Sequence, residues 1–272
     1  ASRGCKHLCR HCPVVPVYEG KFRIVPVETV IADIAQQVAV GAQHISFGDP
    51  DFLNGPTHAL NVAESLHARF PDLSWDATIK VEHLLKHAEL LPRLKQCGLL
   101  FIVTAVESVD DAILDKLAKG HTRADFIETV HLLREIGLTL TPTFIAFTPW
   151  TTRESYRDLL EAIANLELEE NVTPIQLALR LLIPAGSKML DLPEIHPLIQ
   201  GYDQEALLYR WKHPDPAMDT LASQAMRIAG KKAPRREAFR KLWSLVSDKA
   251  PFNEPDRIPR AAIPYLDEPW YC

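Results

Sequence analysis

Three cysteines near the start of the chain constrain its fold more than any other feature. Cys5, Cys9 and Cys12 follow the spacing C-x3-C-x2-C in the segment GCKHLCRHC. The chain has five cysteines, an odd number that makes a poor disulfide framework, so the pattern predicts metal binding in a reducing compartment. Three thiolates this close can hold three irons of a cubane cluster and leave the fourth iron open to a ligand that is not protein. A structural zinc site with His7 or His11 as the fourth ligand is the alternative.

The rest of the chain alternates helical and strand patterns, which predicts an α/β fold of βα units around a parallel sheet. Strands are predicted at residues 43–47, 75–81, 99–106, 139–147 and 175–183. Helices are predicted at residues 28–40, 56–70, 82–96 with a kink at Pro92, 110–117, 124–136, 153–166, 217–229 and 235–247. The pattern demands a further strand before Cys5, which we expect to be missing or represented by its last residues only. Together these elements predict a partial, open (β/α)6 TIM-like barrel.

The regular pattern ends near Pro184, and many of the 21 prolines follow that point. We therefore predict a partial barrel over residues 1–190 and a C-terminal extension over 191–272. This extension would hold two helices and an extended, proline-rich arm from residue 251 onward.

Composition excludes several classes of protein. A chain with 47% hydrophobic and 24% charged residues is typical of a globular domain rather than of a disordered or coiled-coil protein. The net charge of -5 argues against nucleic acid as the main partner. No run of eighteen apolar residues is visible, so we expect no membrane span and a cytoplasmic location.

With its cysteines placed before a series of βα units, the chain resembles the radical S-adenosylmethionine (SAM) superfamily over roughly residues 2–184. The resemblance implies that Cys5, Cys9 and Cys12 hold a 4Fe-4S cluster whose open iron binds the amino and carboxylate groups of SAM. It further implies reductive cleavage of SAM to a carbon radical, a small-molecule substrate and an electron donor such as flavodoxin or ferredoxin. The residue before the last cysteine is usually aromatic in this family. Here it is His11, which can still stack on adenine.

The resemblance extends to the ends of two predicted strands. Gly48, Asp49 and Asp51 stand where the family has a Gly-Gly-Glu-type segment, so they are expected to bind the SAM amino group. Glu107 and Ser108, followed by the segment KGHT, resemble cobalamin-dependent and methylthiolating members and are expected to contact SAM. Capping turns are the alternative interpretation of both segments. No cobalamin-binding domain is visible in this sequence, so that cofactor is not carried over.

Period-two alternation along three predicted strands adds an argument independent of the family. The polar faces so defined are Thr78, Lys80 and Glu82; Thr139, Thr141 and Thr143; and Gln176, Ala178 and Arg180. They predict a lumen that holds a polar ligand. Within it we expect Thr104, Thr143 and Arg180 to contact SAM, with Arg180 at its carboxylate. Lys80 and Glu82 are expected to approach SAM or substrate as catalytic residues, or else to pair with each other.

Two other features receive an interpretation from the sequence. His83 and His87 stand four residues apart without a zincin pattern around them, so we interpret them as structural. The ending PYLDEPWYC resembles radical SAM proteins with a cysteine- or selenocysteine-containing tail, of the CUAEP/CCAEP type. That likeness predicts a chemical role for Cys272.

Three functions stay open at this point. The tail resemblance suggests transfer of the 3-amino-3-carboxypropyl group of SAM to a soft acceptor such as trivalent arsenic. Hydrogen abstraction by a 5'-deoxyadenosyl radical is the second possibility. A non-catalytic zinc or Fe-S electron-carrier protein is the third.

Overall fold

The structure is a computed structural model that describes residues 1–248, and a parallel sheet lies at its centre. The strands are β1 (Ser2–Gly4), β2 (Phe22–Ile24), β3 (His44–Phe47), β4 (Ser74–Thr78), β5 (Leu99–Glu107), β6 (Thr139–Phe144), β7 (Ile199–Asp203) and β8 (Leu208–Trp211). β3, β4, β5 and β6 lie side by side in chain order and run parallel. The pairs β1–β2 and β7–β8 are antiparallel. The predicted α/β fold with a parallel sheet is confirmed.

Helices connect these strands and follow them. The α-helices within residues 1–248 are α1 (Val15–Tyr18), α2 (Val27–Ala39), α3 (Pro56–Arg69), α4 (Val81–Lys86), α5 (Leu91–Gln96), α6 (Asp111–Leu117), α7 (Arg123–Ile136), α8 (Arg153–Asn165), α9 (Pro216–Ala229) and α10 (Arg235–Trp243). Apart from those at 82–96 and 235–247, each predicted helix is found with its ends shifted by at most one residue. No helix in this part of the chain is both long and apolar enough to cross a membrane.

Side-chain caps fix where the helices after β5 and β6 begin. The Thr122 hydroxyl accepts the Asp125 N–H, and the Asp125 carboxylate accepts the Thr122 N–H, which forms a capping box before α7. Thr152 and Ser155 make the same exchange before α8. The Asp110 carboxylate caps α6 by accepting two N–H groups of its first turn. These caps satisfy N–H groups that have no partner inside their own helices.

The single kinked helix predicted at 82–96 is wrong. The first helix, α4, ends at Lys86. A 3-10 turn follows at Ala88–Leu90, and a new helix, α5, begins at Leu91. Pro92 lies in the first turn of α5, where the missing N–H of proline costs no hydrogen bond. It therefore starts a helix here instead of kinking one.

The strand predicted at 75–81 ends at Thr78. Lys80 is the extended N-cap of α4, and Glu82 lies in the first turn of that helix. The predicted common strand face for Thr78, Lys80 and Glu82 is therefore wrong. The backbone N–H of Lys80 donates to the Asp51 carboxylate at 3.4 Å, which holds the chain at the point where the strand becomes a helix.

The strand predicted at 175–183 is also wrong at its start, where a 3-10 turn forms at Pro174–Leu177. Side-chain amides replace the pairing that a strand would have offered to β6. Gln176 Oε1 accepts the Phe144 N–H at 3.1 Å, and Asn171 Nδ2 donates to the Leu140 carbonyl at 2.7 Å. With both backbone groups satisfied, a fifth full strand is not required.

The sheet edge nevertheless continues as one parallel bridge between Phe147 and Arg180. The Phe147 N–H donates to the Leu179 carbonyl at 3.0 Å, and the Leu181 N–H donates to the Phe147 carbonyl at 2.8 Å. Four strands and this bridge form the parallel part of the fold among the described residues. The open six-stranded barrel stays a prediction.

A strand does precede Cys5, but β1 pairs antiparallel with β2 and not with the central sheet. Gly4 ends β1 with φ of +76°, a backbone conformation that favours glycine. A Cβ at this position would lie 2.2 Å from the carbonyl oxygen of Lys21. The close approach of β2 therefore requires glycine immediately before the first cysteine.

Helices α9 and α10 pack into the same core as the sheet. Met218, Leu221, Phe239 and Trp243 belong to the buried cluster that also contains Trp75 of β4. Residues on both sides of the predicted boundary at residue 190 therefore share one core. The boundary itself stays a prediction. The predicted proline-rich arm, from residue 251 onward, lies outside the described residues.

Candidate functional site

The segment from Cys5 to Cys12, called the cysteine loop below, lies between β1 and α1. Cys9 is buried, and Cys5 and Cys12 are partly buried. The Cys12 N–H donates to the Cys9 carbonyl at 3.2 Å, which closes a turn that keeps these two residues together. All three thiols are free. The loop therefore offers three sulfur ligands in a compact, largely enclosed segment.

The electrostatics of Cys12 indicate what the three thiols need. Burial raises the pKa of the Cys12 thiol, and the neighbouring Cys9 and Cys5 raise it further. Three thiolates at this site would repel one another in an environment that already disfavours charge. A bound cationic centre removes that repulsion, so the donor set fits a metal cluster.

Contacts at Arg10 fix the cysteine loop to two other parts of the protein. Arg10 donates through its guanidinium to the carbonyls of Asp115 and Lys116 at 2.9 Å, and its backbone N–H donates to the Leu117 carbonyl. These acceptors are carbonyls in the last turn of α6, where partners within the helix run out, and the Asp115 carbonyl also accepts the Ala118 N–H. Ser187 Oγ donates to the Arg10 carbonyl at 3.1 Å. The loop is thus held from two sides.

Asn54 holds the start of the same loop. Its side-chain oxygen accepts the Lys6 N–H at 3.2 Å and lies 3.9 Å from the Cys5 sulfur. Its Nδ2 donates to the Asp51 carbonyl at 3.1 Å. Asn54 therefore links the cysteine loop to the segment that follows β3.

We expect Asn54→Ala to loosen the cysteine loop without removing a ligand. The substitution leaves the Lys6 N–H without its partner and removes one of the two hydrogen bonds that the Asp51 carbonyl accepts. An N–H that stays buried and unpaired costs about 1–3 kcal/mol. The measurement is the rate at which a chelator strips iron from the reconstituted protein, which should rise. Asn61→Ala on the exposed face of α3 is the control. Equal rates for the two variants would contradict this role of Asn54.

Glu107 lies at the end of β5 and faces the cysteine loop. Its Oε1 is 3.1 Å from His11 Nε2 and 3.3 Å from Lys119 Nζ. Glu107 and Lys119 are both buried. The backbone of Glu107 has φ of +68°, which is uncommon for a residue with a side chain. The register of β5 against β6 shifts at this point, so an irregular strand end aims the carboxylate at His11.

The charges around Glu107 fix its protonation state. Burial alone would raise the pKa of Glu107, but Lys119 and His11 outweigh burial and lower it to about 2. Nearby, burial and Lys119 lower the pKa of His121 to about 4, and its Nε2 donates to the Val106 carbonyl at 3.2 Å. At neutral pH the site therefore contains the ionised carboxylate of Glu107, which is paired with Lys119, and the neutral imidazole of His121.

The segment after β3 holds the other predicted acidic residues. Gly48 is exposed, and a Cβ on it would meet no atom within 4 Å, so its backbone faces open space. The Asp49 carboxylate accepts hydrogen bonds from the Ser2 hydroxyl and from the amino group of Ala1. Asp51 is fully buried and points instead toward His83. Asp49 and Asp51 thus have different surroundings.

Lys80 and Glu82 pair with each other, with Nζ and Oε2 3.3 Å apart. Glu82 Oε2 also lies 3.7 Å from His7 Nδ1 of the cysteine loop. Burial lowers the pKa of His7, as do Lys80 and His83. The pairing alternative expected from the sequence is therefore present, and it brings Glu82 to the edge of the cysteine loop.

Four other predicted residues have partners within the protein. Arg180 Nη1 is 2.5 Å from Asp219, and the guanidinium stacks over the Trp211 ring. Thr104 Oγ1 donates to the Ile79 carbonyl, and Thr143 Oγ1 donates to the Thr104 carbonyl. Ser108 Oγ accepts the Asp110 N–H ahead of α6. Their predicted contacts with SAM stay predictions, as does the role of Cys272, which lies outside the described residues.

Sequence reasoning missed two residues that the structure brings to this site. Lys119 lies against Glu107, and Asn54 lies against the cysteine loop. The segment KGHT was noted only as a resemblance, and its lysine could have been paired with Glu107 on charge alone. For Asn54 no sequence signal was available, because its contact spans 48 positions in the chain.

Comparison with protein families matches residues 1–163, more than half of the chain, to the family described as the radical SAM superfamily. An uncharacterized methyltransferase of Pyrococcus horikoshii is 25% identical over 169 residues, which are 62% of this chain and 36% of that protein. A tRNA-2-methylthio-N(6)-dimethylallyladenosine synthase of Herpetosiphon aurantiacus is 26% identical over 182 residues, covering 61% of this chain and 40% of that protein. The chain thus spans well under half the length of these relatives.

The fold also has counterparts among solved structures. The cobalamin-dependent SAM radical enzyme OxsB, with aqua-cobalamin and SAM bound, superposes with a TM-score of 0.69 at 16% identity. The match covers 89% of this chain and 44% of OxsB. At this identity the likeness concerns the fold alone.

Proposed function

The chain belongs to the radical SAM superfamily, and from this premise we propose that it cleaves SAM reductively to start radical chemistry on a small molecule. Cys5, Cys9 and Cys12 are the proposed ligands of a 4Fe-4S cluster. The observation that carries the proposal is the cysteine loop itself: three free, enclosed thiols held against the C-terminal ends of β3 and β5. In βα folds, ligands bind at those strand ends.

The residues fit the cluster and SAM on grounds of charge and geometry. Burial and mutual repulsion disfavour three uncompensated thiolates, as the raised pKa of Cys12 indicates. A bound cluster of this type supplies one electron to SAM, and the cleavage yields a carbon radical. His11 stands beside Cys12, and Glu107 restrains the His11 ring at 3.1 Å. We propose that this ring packs on the adenine of SAM.

Two further groups support the binding of SAM. The open backbone at Gly48 leaves room for the amino-acid part of SAM at the end of β3. Glu107 is ionised at neutral pH, because Lys119 and His11 lower its pKa to about 2. We propose that Glu107 orients the His11 ring and faces the positively charged sulfonium of SAM. Lys119 balances part of the negative charge of Glu107. Because Asp51 faces His83 and Asp49 already accepts two hydrogen bonds, the exposed backbone of Gly48 is the better candidate for the amino group.

The names of the relatives and the net charge bear on which group is transferred and on the kind of substrate. The two relatives are named as a methyltransferase and a tRNA methylthiolating synthase, which favours transfer of a one-carbon or sulfur-containing group over other radical reactions. The net charge of -5 favours a small substrate over tRNA. Aminocarboxypropyl transfer to arsenic has no support from these relatives, and its chemical basis, Cys272, lies outside the described residues. We further propose that a protein such as flavodoxin or ferredoxin donates the electron to the cluster.

The test is the set of products formed from SAM. The protein is reconstituted anaerobically with iron and sulfide and incubated with SAM and dithionite, and the nucleosides are separated by liquid chromatography. We expect catalytic formation of 5'-deoxyadenosine. Formation of 5'-methylthioadenosine instead would indicate cleavage of the other carbon–sulfur bond and would restore aminocarboxypropyl transfer. Absence of both products with a fully loaded cluster would contradict the proposed function.

A further inference from the structure

We propose that His7, Asp51 and His83 form a second metal site, for a divalent transition-metal ion of the zinc or ferrous type. The site uses none of the three cysteines. His7 comes from the cysteine loop, Asp51 from the segment after β3, and His83 from α4. Three distant parts of the chain therefore bring ligand-type side chains to one point.

The three side chains converge closely enough to share one ion. Each offers one ligand atom, and the three atoms all lie within 4.8 Å of one another. Asp51 Oδ2 is 2.6 Å from His83 Nδ1 and 3.8 Å from His7 Nε2. The two imidazole rings meet edge to face, with centroids 4.9 Å apart. Both rings therefore direct a nitrogen toward the same carboxylate oxygen.

The lack of hydrogen-bond partners at these three atoms also indicates a site for an ion. Asp51 Oδ2, His83 Nδ1 and His7 Nε2 are all buried, and none of them has a hydrogen-bond partner of acceptable geometry. Asp51 is 0% exposed and His83 is 7% exposed. Leaving one such buried polar atom unsatisfied costs about 1–3 kcal/mol, and more for a charged group. One ion among the three atoms would satisfy them together.

His7 lies between two carboxylates, as the histidine ligands of metal sites commonly do. Its Nε2 faces Asp51, while its Nδ1 faces Glu82 Oε2 at 3.7 Å. Metal-binding histidines commonly direct their other nitrogen to a carboxylate, which fixes the orientation of the ring. Glu82 is itself held by Lys80. Glu82 would thus support the ligand His7 without binding the ion itself.

Two histidines and one carboxylate determine the class of ion. Zinc and non-haem ferrous sites both use this set and leave coordination positions for water or substrate. Glu82 is partly exposed, and a Cβ built on Gly120 would come 3.1 Å from its Oε2, so this side of the site borders the segment KGHT. The open positions would take an oxygen or nitrogen atom of a chelating substrate.

The test adds Zn²⁺ to the cluster-loaded protein and measures affinity by calorimetry and the ligand shell by X-ray absorption at the zinc edge. We expect one tightly bound zinc ion with nitrogen and oxygen ligands and no sulfur. Asp51→Asn and His83→Gln should each weaken zinc binding by at least about a hundredfold, since even second-shell losses cost 10- to 100-fold. His87→Gln is the matched control, because its ring is 5.7 Å from that of His83 but lies outside the ligand set.

The cluster is monitored by its visible absorption during the titration, so failure of this site is distinguishable from failure of the proposed SAM chemistry. A sulfur shell around zinc would mean that the ion binds the cysteines and would overturn the proposal. So would zinc affinity that is the same in the wild type, Asp51→Asn and His83→Gln. If either variant fails to fold, the ligand shell and affinity of the wild type decide alone.

Discussion

Cys9→Ser is expected to abolish both the iron–sulfur cluster and SAM cleavage. The thiolate is the iron ligand, and Cys9 is the most buried of the three cysteines in the loop, so no nearby sulfur can replace it. Iron content after anaerobic reconstitution should fall well below that of the wild type. Nucleoside products of SAM should fall to the level of a reaction without enzyme.

Cys97→Ala is the matched control for this prediction. Cys97 is also buried and free, but it lies at the end of α5 within the core, and burial raises the pKa of its thiol. Its removal should leave iron content and products unchanged, at the cost of a small loss of packing. Wild-type iron content in Cys9→Ser, or loss of the cluster in Cys97→Ala, would contradict the ligand assignment.

Glu107→Gln is expected to damage stability and SAM cleavage together. The change removes the carboxylate that pairs with the buried Lys119, and breaking a buried ion pair from one side typically costs about 3–5 kcal/mol. It also weakens the restraint on the His11 ring beside Cys12. The free energy of unfolding, measured with denaturant, should fall by about 3 kcal/mol, and the KM for SAM should rise.

The pH dependence of this effect has a definite sign. The pKa of Glu107 falls from an ordinary 4.5 to about 2 in the folded protein. Its contribution, about 3 kcal/mol for a shift of this size, is fully present above pH 4.5 and is lost as the pH falls toward 2. The stability difference between wild type and Glu107→Gln should therefore be largest at neutral pH and shrink below pH 4.5.

Glu128→Gln supplies the control, because Glu128 is exposed on α7. It should unfold like the wild type at every pH, within about 0.5 kcal/mol. A Glu107→Gln protein as stable as Glu128→Gln at pH 7 would show that the buried pair contributes nothing. A difference that grows as the pH falls would contradict the lowered pKa.

The sequence predicted most of the fold because helices and buried strands leave local periodic patterns. Helices α2, α3 and α8 follow such patterns closely. The two strands predicted too long share one cause: side chains far away in sequence satisfy the backbone where each strand ends. Gln176 takes the hydrogen bond of Phe144, and Asp51 takes the N–H of Lys80. No periodic pattern within one segment reports such contacts.

The site was predictable where chemistry depends on spacing and unpredictable where it depends on long-range contacts. C-x3-C-x2-C marks Cys5, Cys9 and Cys12 without any structure. The four-residue spacing of His83 and His87 suggested only helix structure, whereas folding places His83 against Asp51 and His7. Residues 32 to 76 positions apart must be brought together by the sheet before such a site can be recognised.

We propose that the cysteine loop holds a 4Fe-4S cluster with one iron open to SAM. Electron paramagnetic resonance of the reconstituted, dithionite-reduced protein, recorded with and without SAM, tests it most directly. We expect the signal of a reduced 4Fe-4S cluster, and we expect that signal to change when SAM is added. A cluster signal that SAM leaves unaltered, or a protein that binds zinc at Cys5, Cys9 and Cys12 and gives no cluster signal, would contradict it.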